Sequence, residues 1–377
     1  MFACTSAPKA PPAALQSFKP ELALQRAWTV QADSDLTAHP TVDDKQTLLL
    51  LAFGNDAHAY NASTGGVLWR ARGLGLIEAP LAMAQDGKSV LALVQGKEAV
   101  SLDAKTGKVL WRAVLPAEMY VQAASVNGVF VVLTADGRIV GLDEDSGRRR
   151  WAIARNIPAL SVRGSGALVA LQGDAVVGLP GGKAISIKAS NGQISWESGL
   201  AEVRGVNEVE RIADVIPDWV FVNGTGFCAA AYRHRISCLD SQGRITFTQE
   251  ISAVSSAVAT QSPALLAGLD DSGDLKAWSL TAAMAAPASW VFEGLRGRKS
   301  ASLRDIAAQG DTVFVSDRMG LVHGIHAKTG KTVVRAAVAS GSDASIALWA
   351  GTLSQRATLI TTHNRSVQSW TIASVTP

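Results

Sequence analysis

The chain has 377 residues, 47% of them apolar and 18% charged, with a formal net charge of +3. That balance is ordinary for a globular protein, and so small a positive charge argues against nucleic acid as a partner. No run of 18 apolar residues occurs, so no helix of the chain is expected to span a membrane.

At the start, Met1-Phe2-Ala3-Cys4-Thr5-Ser6 has the pattern of the end of a bacterial lipoprotein signal. A small residue there precedes a cysteine that becomes acylated, which makes Cys4 the expected lipid anchor and the only link to a membrane. Pro8, Pro11, Pro12 and Pro20 mark residues 5–20 as a flexible tether, with one domain expected over 21–377.

From Trp28 onward one slot recurs. Trp28, Trp69, Trp111, Trp151, Trp196, Phe247, Trp290 and Val334 are separated by 41, 42, 40, 45, 51, 43 and 44 residues. In six repeats a turn glycine lies four residues before the slot: Gly65, Gly107, Gly147, Gly192, Gly243 and Gly330. Asp or Asn ahead of it bonds the backbone, and glycine supplies the positive φ that closes the hairpin. Short branched runs such as Val90-Leu91-Ala92-Leu93-Val94 and Val129-Phe130-Val131-Val132-Leu133 precede each turn. No helical stretch of ten residues interrupts them, so the chain reads as all-β. About 40–45 residues is the length of a four-stranded propeller blade. Eight slots predict an eight-bladed β-propeller of PQQ-like repeats, one domain in which no blade stands alone.

There is no room for a whole blade before Trp28. Residues 25–30 are therefore expected to supply the outer strand of the last blade, whose other strands come from about 336–375, including Trp370. The longest gap, from Trp196 to Phe247, places extra residues in a loop at 202–217, and such insertions often lie on a binding face. Cys228 and Cys238 flank Tyr232-Arg233-His234-Arg235. A two-residue turn at Arg233-His234 would put Cys228 opposite Leu239 and turn Cys238 to the other face. Two buried thiols are then expected, with a disulfide as the alternative.

Catalytic chemistry is hard to find. His323 and His326 are the one histidine pair at close spacing, and i and i+3 on a strand face opposite ways. There is no Gly-x-Ser-x-Gly elbow, and no helix follows Gly164-Ser165-Gly166 to cradle a phosphate. The basic clusters Arg148-Arg149-Arg150 and Arg296-Gly297-Arg298-Lys299 read as solvated turns. No metal and no cofactor are expected. The enzymatic alternative is a PQQ-dependent dehydrogenase-like quinoprotein, which resembles this chain in the repeat. Those enzymes are longer, and the alcohol-oxidising branch carries adjacent cysteines that this chain lacks.

Three segments are more specific than the repeat: Asn156 to Gly164 around Leu160-Ser161-Val162-Arg163, Asp174 to Gly178, and Val209 to Val215 around Arg211-Ile212-Ala213-Asp214. With them the whole chain resembles the BamB family, lipoprotein propellers of the β-barrel assembly machinery in Gram-negative outer membranes. The resemblance implies a non-enzymatic scaffold, lipid-anchored on the periplasmic face of the outer membrane. It would bind the POTRA domains of BamA beside other subunits of the complex and help to handle unfolded outer-membrane proteins. Its BamA-contacting residues carry over to Leu160, Val162, Arg163 and Asp214. Two apolar side chains would anchor a patch, and Arg163 and Asp214 would pair with each other or with the partner. This chain departs from the family at Ile216, where a second aspartate is frequent, and at Val162, where leucine is common.

Overall fold

The computed structural model describes residues 12–375 apart from 13, 44, 120, 163–165, 202–205, 207–210, 218, 223–225, 253–257, 261–263, 282–286, 299–304 and 341–344. It holds eight four-stranded antiparallel sheets. Blades 1 to 7 run consecutively over 41–71, 82–114, 124–154, 167–199, 220–250, 258–292 and 306–337. Blade 8 takes three strands from 347–374 and its outer strand from Leu22–Gln31 at the other end of the chain. The closing strand is longer than expected, and 336–337 belong to the outer strand of blade 7.

Inner strands such as Leu48–Phe53 and Ser89–Val94 are buried along almost their whole length. Both faces of a blade are covered by its neighbours, so these strands are continuously apolar rather than alternating. Each of eight apolar clusters spans two adjacent blades, including one joining Val30, Ile360 and Val367 to Leu49 and Tyr60. The core is thus a ring of interfaces, which is why one blade has nothing to fold against by itself.

The slot tryptophans all lie on outer strands, yet each docks on the following blade. Trp69 of blade 1 donates its indole N–H to the Ala104 carbonyl of blade 2 at 2.8 Å. Trp28, Trp111, Trp151, Trp196 and Trp290 do the same to Ala62, Glu144, Ala189, Ser241 and Ala327 at 2.6–3.2 Å. Each ring covers the next blade's turn glycine. A methyl on Gly107 would lie 2.6 Å from Trp69 Cε3, and one on Gly147 would lie 2.4 Å from the same atom of Trp111. The two degenerate slots have a cause in this pairing. The segment after Leu275–Ser279 that Phe247 would cover carries no glycine. Val334 faces blade 8, whose third and outer strands are joined by no turn.

One expectation is corrected. Cys228 and Cys238 form a disulfide. The hairpin loop has three residues, Tyr232 to His234, with Arg233 at φ 56°, and pairs Ala231 with Arg235. This one-residue difference sets Cys228 directly across from Cys238, with Cα atoms 3.9 Å apart. Near the end of the 5–20 segment, Gln16 and Phe18 lie against the outer strand of blade 7. Arg335 donates to the Gln16 carbonyl at 3.2 Å and lies 5.0 Å from the centre of the Phe18 ring. Cys4 lies outside the described residues.

Candidate partner-docking surface

Antiparallel strands alternate direction, so the second turn of each blade shares one face of the ring with the crossovers between blades. The Leu160 loop and the 211–217 end of the stretched crossover both lie there, on either side of blade 4. Glycine is required where they meet. A methyl on Gly181 would lie 3.1 Å from Pro158 Cγ, and one on Gly178 would lie 2.6 Å from Val215 Cγ1.

Asp214 ties the two loops together. It is 1% exposed, and its carboxylate accepts from the Val162 N–H at 2.6 Å and the Gly181 N–H at 2.9 Å. Its own backbone is held as well, since the Tyr232 N–H donates to the Asp214 carbonyl at 2.8 Å. Val215 and Ile216 are buried beside it, with Val215 receiving the Gly166 N–H at 2.7 Å. Charge-assisted bonds of this kind from backbone donors are among the stronger hydrogen bonds in proteins. Asp214 is thus a buried clamp across two crossovers and the 180–182 turn rather than an open acidic contact. Ile216 packs in the apolar cluster between blades 5 and 6, which accounts for an apolar residue at that position.

Of the other residues singled out, Leu160 is exposed at 41%, while Val162 is half-buried with its backbone held by Asp214. Arg163 lies outside the described residues. The structure adds Gly181 as the second donor to Asp214, and the Gly181-Gly182 pair was its visible sign in the sequence. The disulfide hairpin presents Tyr232 and Arg233 on the same face, the guanidinium 5.3 Å from the ring centre.

The mouth of the central channel opens on this face as a cavity of about 560 Å³, lined among others by Asp35, His39, Glu78, Trp219 and His363. Among the described residues, no group of three His, Cys, Asp or Glu side chains is placed to hold a metal ion. His323 is fully buried and 3.1 Å from Asp317, whose carboxyl is held below its ordinary range by the His323 hydrogen bond against the opposing effect of burial. Arg296 and Arg298 are not simply solvated. Arg296 grips Asp274 through two bonds of 2.6 and 2.8 Å, and Arg298 reaches Asp317 at 3.5 Å.

A family model described as outer membrane protein assembly factor BamB matches residues 77–282. The assembly factor BamB of Bordetella pertussis is 28% identical over 338 residues, 88% of this chain and 83% of that protein. The crystal structure of BamB from Moraxella catarrhalis superposes with a TM-score of 0.78 at 21% identity, covering 93% of this chain and all of the other. A quinohemoprotein alcohol dehydrogenase from Pseudomonas putida shares the ring at a TM-score of 0.64 and 12% identity, over 94% of this chain and 77% of its own. At that identity the likeness shows the fold alone. With the family model matched over more than half its length, the chain belongs to the BamB family of outer membrane protein assembly factors.

Proposed function

We propose that the chain is a non-enzymatic scaffold subunit of the outer-membrane β-barrel assembly complex. It docks on the POTRA domains of BamA through Leu160, Val162 and Arg163, while Asp214 holds that loop in shape. The observation that carries the docking reading is the 2.6 Å bond from the Val162 N–H to buried Asp214, beside an exposed Leu160. A short apolar anchor on a backbone that is already ordered loses little entropy on binding. Acylated Cys4 holds the propeller at the periplasmic face of the outer membrane, where it assists the handling of unfolded outer-membrane proteins. The Cys228–Cys238 disulfide supports an oxidising compartment such as the periplasm.

The test is co-purification of BamA from detergent extracts of outer membranes. Leu160→Asp together with Arg163→Glu removes the exposed apolar anchor and reverses the charge three residues on. The variant should keep its melting temperature and lose BamA. Capture of BamA at the wild-type level by that variant would refute the assignment.

A further inference from the structure

A second surface lies away from the Asp214 loops, on the rim between blades 2 and 3. A groove of about 530 Å³ runs there between Arg112–Pro116 on one side and Val140, Leu142 and 146–149 on the other. Its wall is the outer strand Val109–Val114, which ends its sheet with one edge unpaired. That strand carries apolar side chains toward solvent: Val109 is 45% and Leu110 53% exposed, much as Val67 and Leu68 are on the outer strand of blade 1, and Val114 stands out at 85%. Edge strands are normally protected by charge, bulge or cover. Here the far end, at Val114, has none of these on its outward side.

The opposite wall is cationic. Of the three consecutive arginines, Arg150 is held by Asp143 at 2.6 Å. Arg148 and Arg149 are exposed and line the groove, and among the described residues neither guanidinium has a carboxylate partner. Arg112 is neutralised by Glu98 at 2.6 Å, and no Asp or Glu lines the groove. Two unpaired positive charges therefore stand across from an open strand edge with an apolar rim.

We propose that this groove receives an extended segment of a partner protein in which acidic and apolar residues alternate. Its backbone pairs with the free edge of Val109–Val114. Its apolar side chains cover Val114 and Leu110, and its carboxylates meet Arg148 and Arg149. Strand addition draws affinity from main-chain hydrogen bonds and specificity from alternate side chains. The arginine fork is suited to carboxylates.

The measurement is fluorescence anisotropy of a fluorescein-labelled alternating glutamate–valine peptide titrated with the folded chain. Arg148→Glu with Arg149→Glu should weaken binding by about tenfold or more and make the matching lysine–valine peptide the better ligand. Methylating alternate backbone nitrogens of the glutamate peptide should abolish binding, because the peptide then has no N–H to donate to the edge carbonyls. Equal affinity of wild type and double variant, or undiminished binding of the methylated peptide, would overturn the proposal. So would binding of phosphatidylglycerol vesicles without binding of the glutamate peptide. Both substitutions lie on exposed residues outside the Leu160 loop, Arg148 in the turn and Arg149 at the start of the Arg149–Ala154 strand, so loss of BamA capture and loss of this activity are separable.

Discussion

Replacing Gly107 by alanine should destabilise the protein through a residue of another repeat. Gly107 sits at φ +69°, and an added methyl would lie 2.6 Å from Trp69 Cε3 and 2.8 Å from its Cδ2. Holding an L-residue in the left-handed region costs about 1–2 kcal/mol. Moving an indole that is 6% exposed and bonded to the Ala104 carbonyl adds about 1–3 kcal/mol of overpacking strain. The single change should therefore cost about 2–5 kcal/mol. With Trp69→Ala already in place the collision is gone and only the backbone part remains. A double-mutant cycle between positions 107 and 69 should then show coupling of about 1–3 kcal/mol. The same cycle between Gly107 and Trp111, four residues further on, should be additive within about 0.5 kcal/mol. Urea unfolding followed by tryptophan fluorescence and circular dichroism supplies the free energies. Coupling of Gly107 to Trp111 as large as its coupling to Trp69 would refute the interlocking of successive blades.

Reducing the Cys228–Cys238 bond, which closes a separation of 10 residues, should lower stability by about 2–3 kcal/mol; thermal melts with and without reductant, alongside a Cys228→Ser/Cys238→Ser variant, check it. Asp214→Ala leaves the Val162 and Gly181 N–H groups without their acceptor and should cost about 1–3 kcal/mol, read from the urea midpoint, whereas Leu160→Asp should leave that midpoint unchanged. The Ser146 hydroxyl and then the Arg150 guanidinium hold the Asp143 carboxyl down to about 2, against an ordinary 3.8. Its folded form is depressed, so its contribution is complete above about pH 4 and is lost as pH falls through about 2. Acid unfolding of Asp143→Asn should therefore show a shallower decline across that window, and an unchanged decline would remove Asp143 from the account.

The eight slots were legible because tryptophan and glycine are chemically conspicuous and the blade length is nearly constant. Their pairing was not. Gly107 stands four residues before Trp111 and 38 after Trp69, and a periodic sequence does not say which of the two it touches. The degenerate slots at Phe247 and Val334 became intelligible only when the glycine-less turn and the missing turn of blade 8 stood opposite them. For Cys228 and Cys238 the error was a single loop residue, which reverses every side chain beyond it. At the docking surface, Leu160 was reached through the family resemblance, because Ile157-Pro158-Ala159 and Val162 around it are apolar too and no local pattern marks it out. Asp214 read as a charge for Arg163 or for the partner, because its backbone donors, Val162 and Gly181, come from 52 and 33 residues away. Burial that arises between crossovers leaves no local pattern in either segment.

The joining of the first strand to the last sheet also orders events in time. Leu22 pairs with Ser374 and Gln31 with Ser366, so the strand made first waits for nearly the whole chain to follow. Closing a loop of that length costs about 5 kcal/mol, and the cost grows only slowly with length. Trp28 eases the wait, because its indole docks on Ala62 and Gly65 of blade 1, both present long before blade 8. The early strand can park against its neighbour and hold its register until residues 347–374 arrive. Until then the growing arc carries an open edge at each end, the kind of exposure that makes an incomplete fold prone to association.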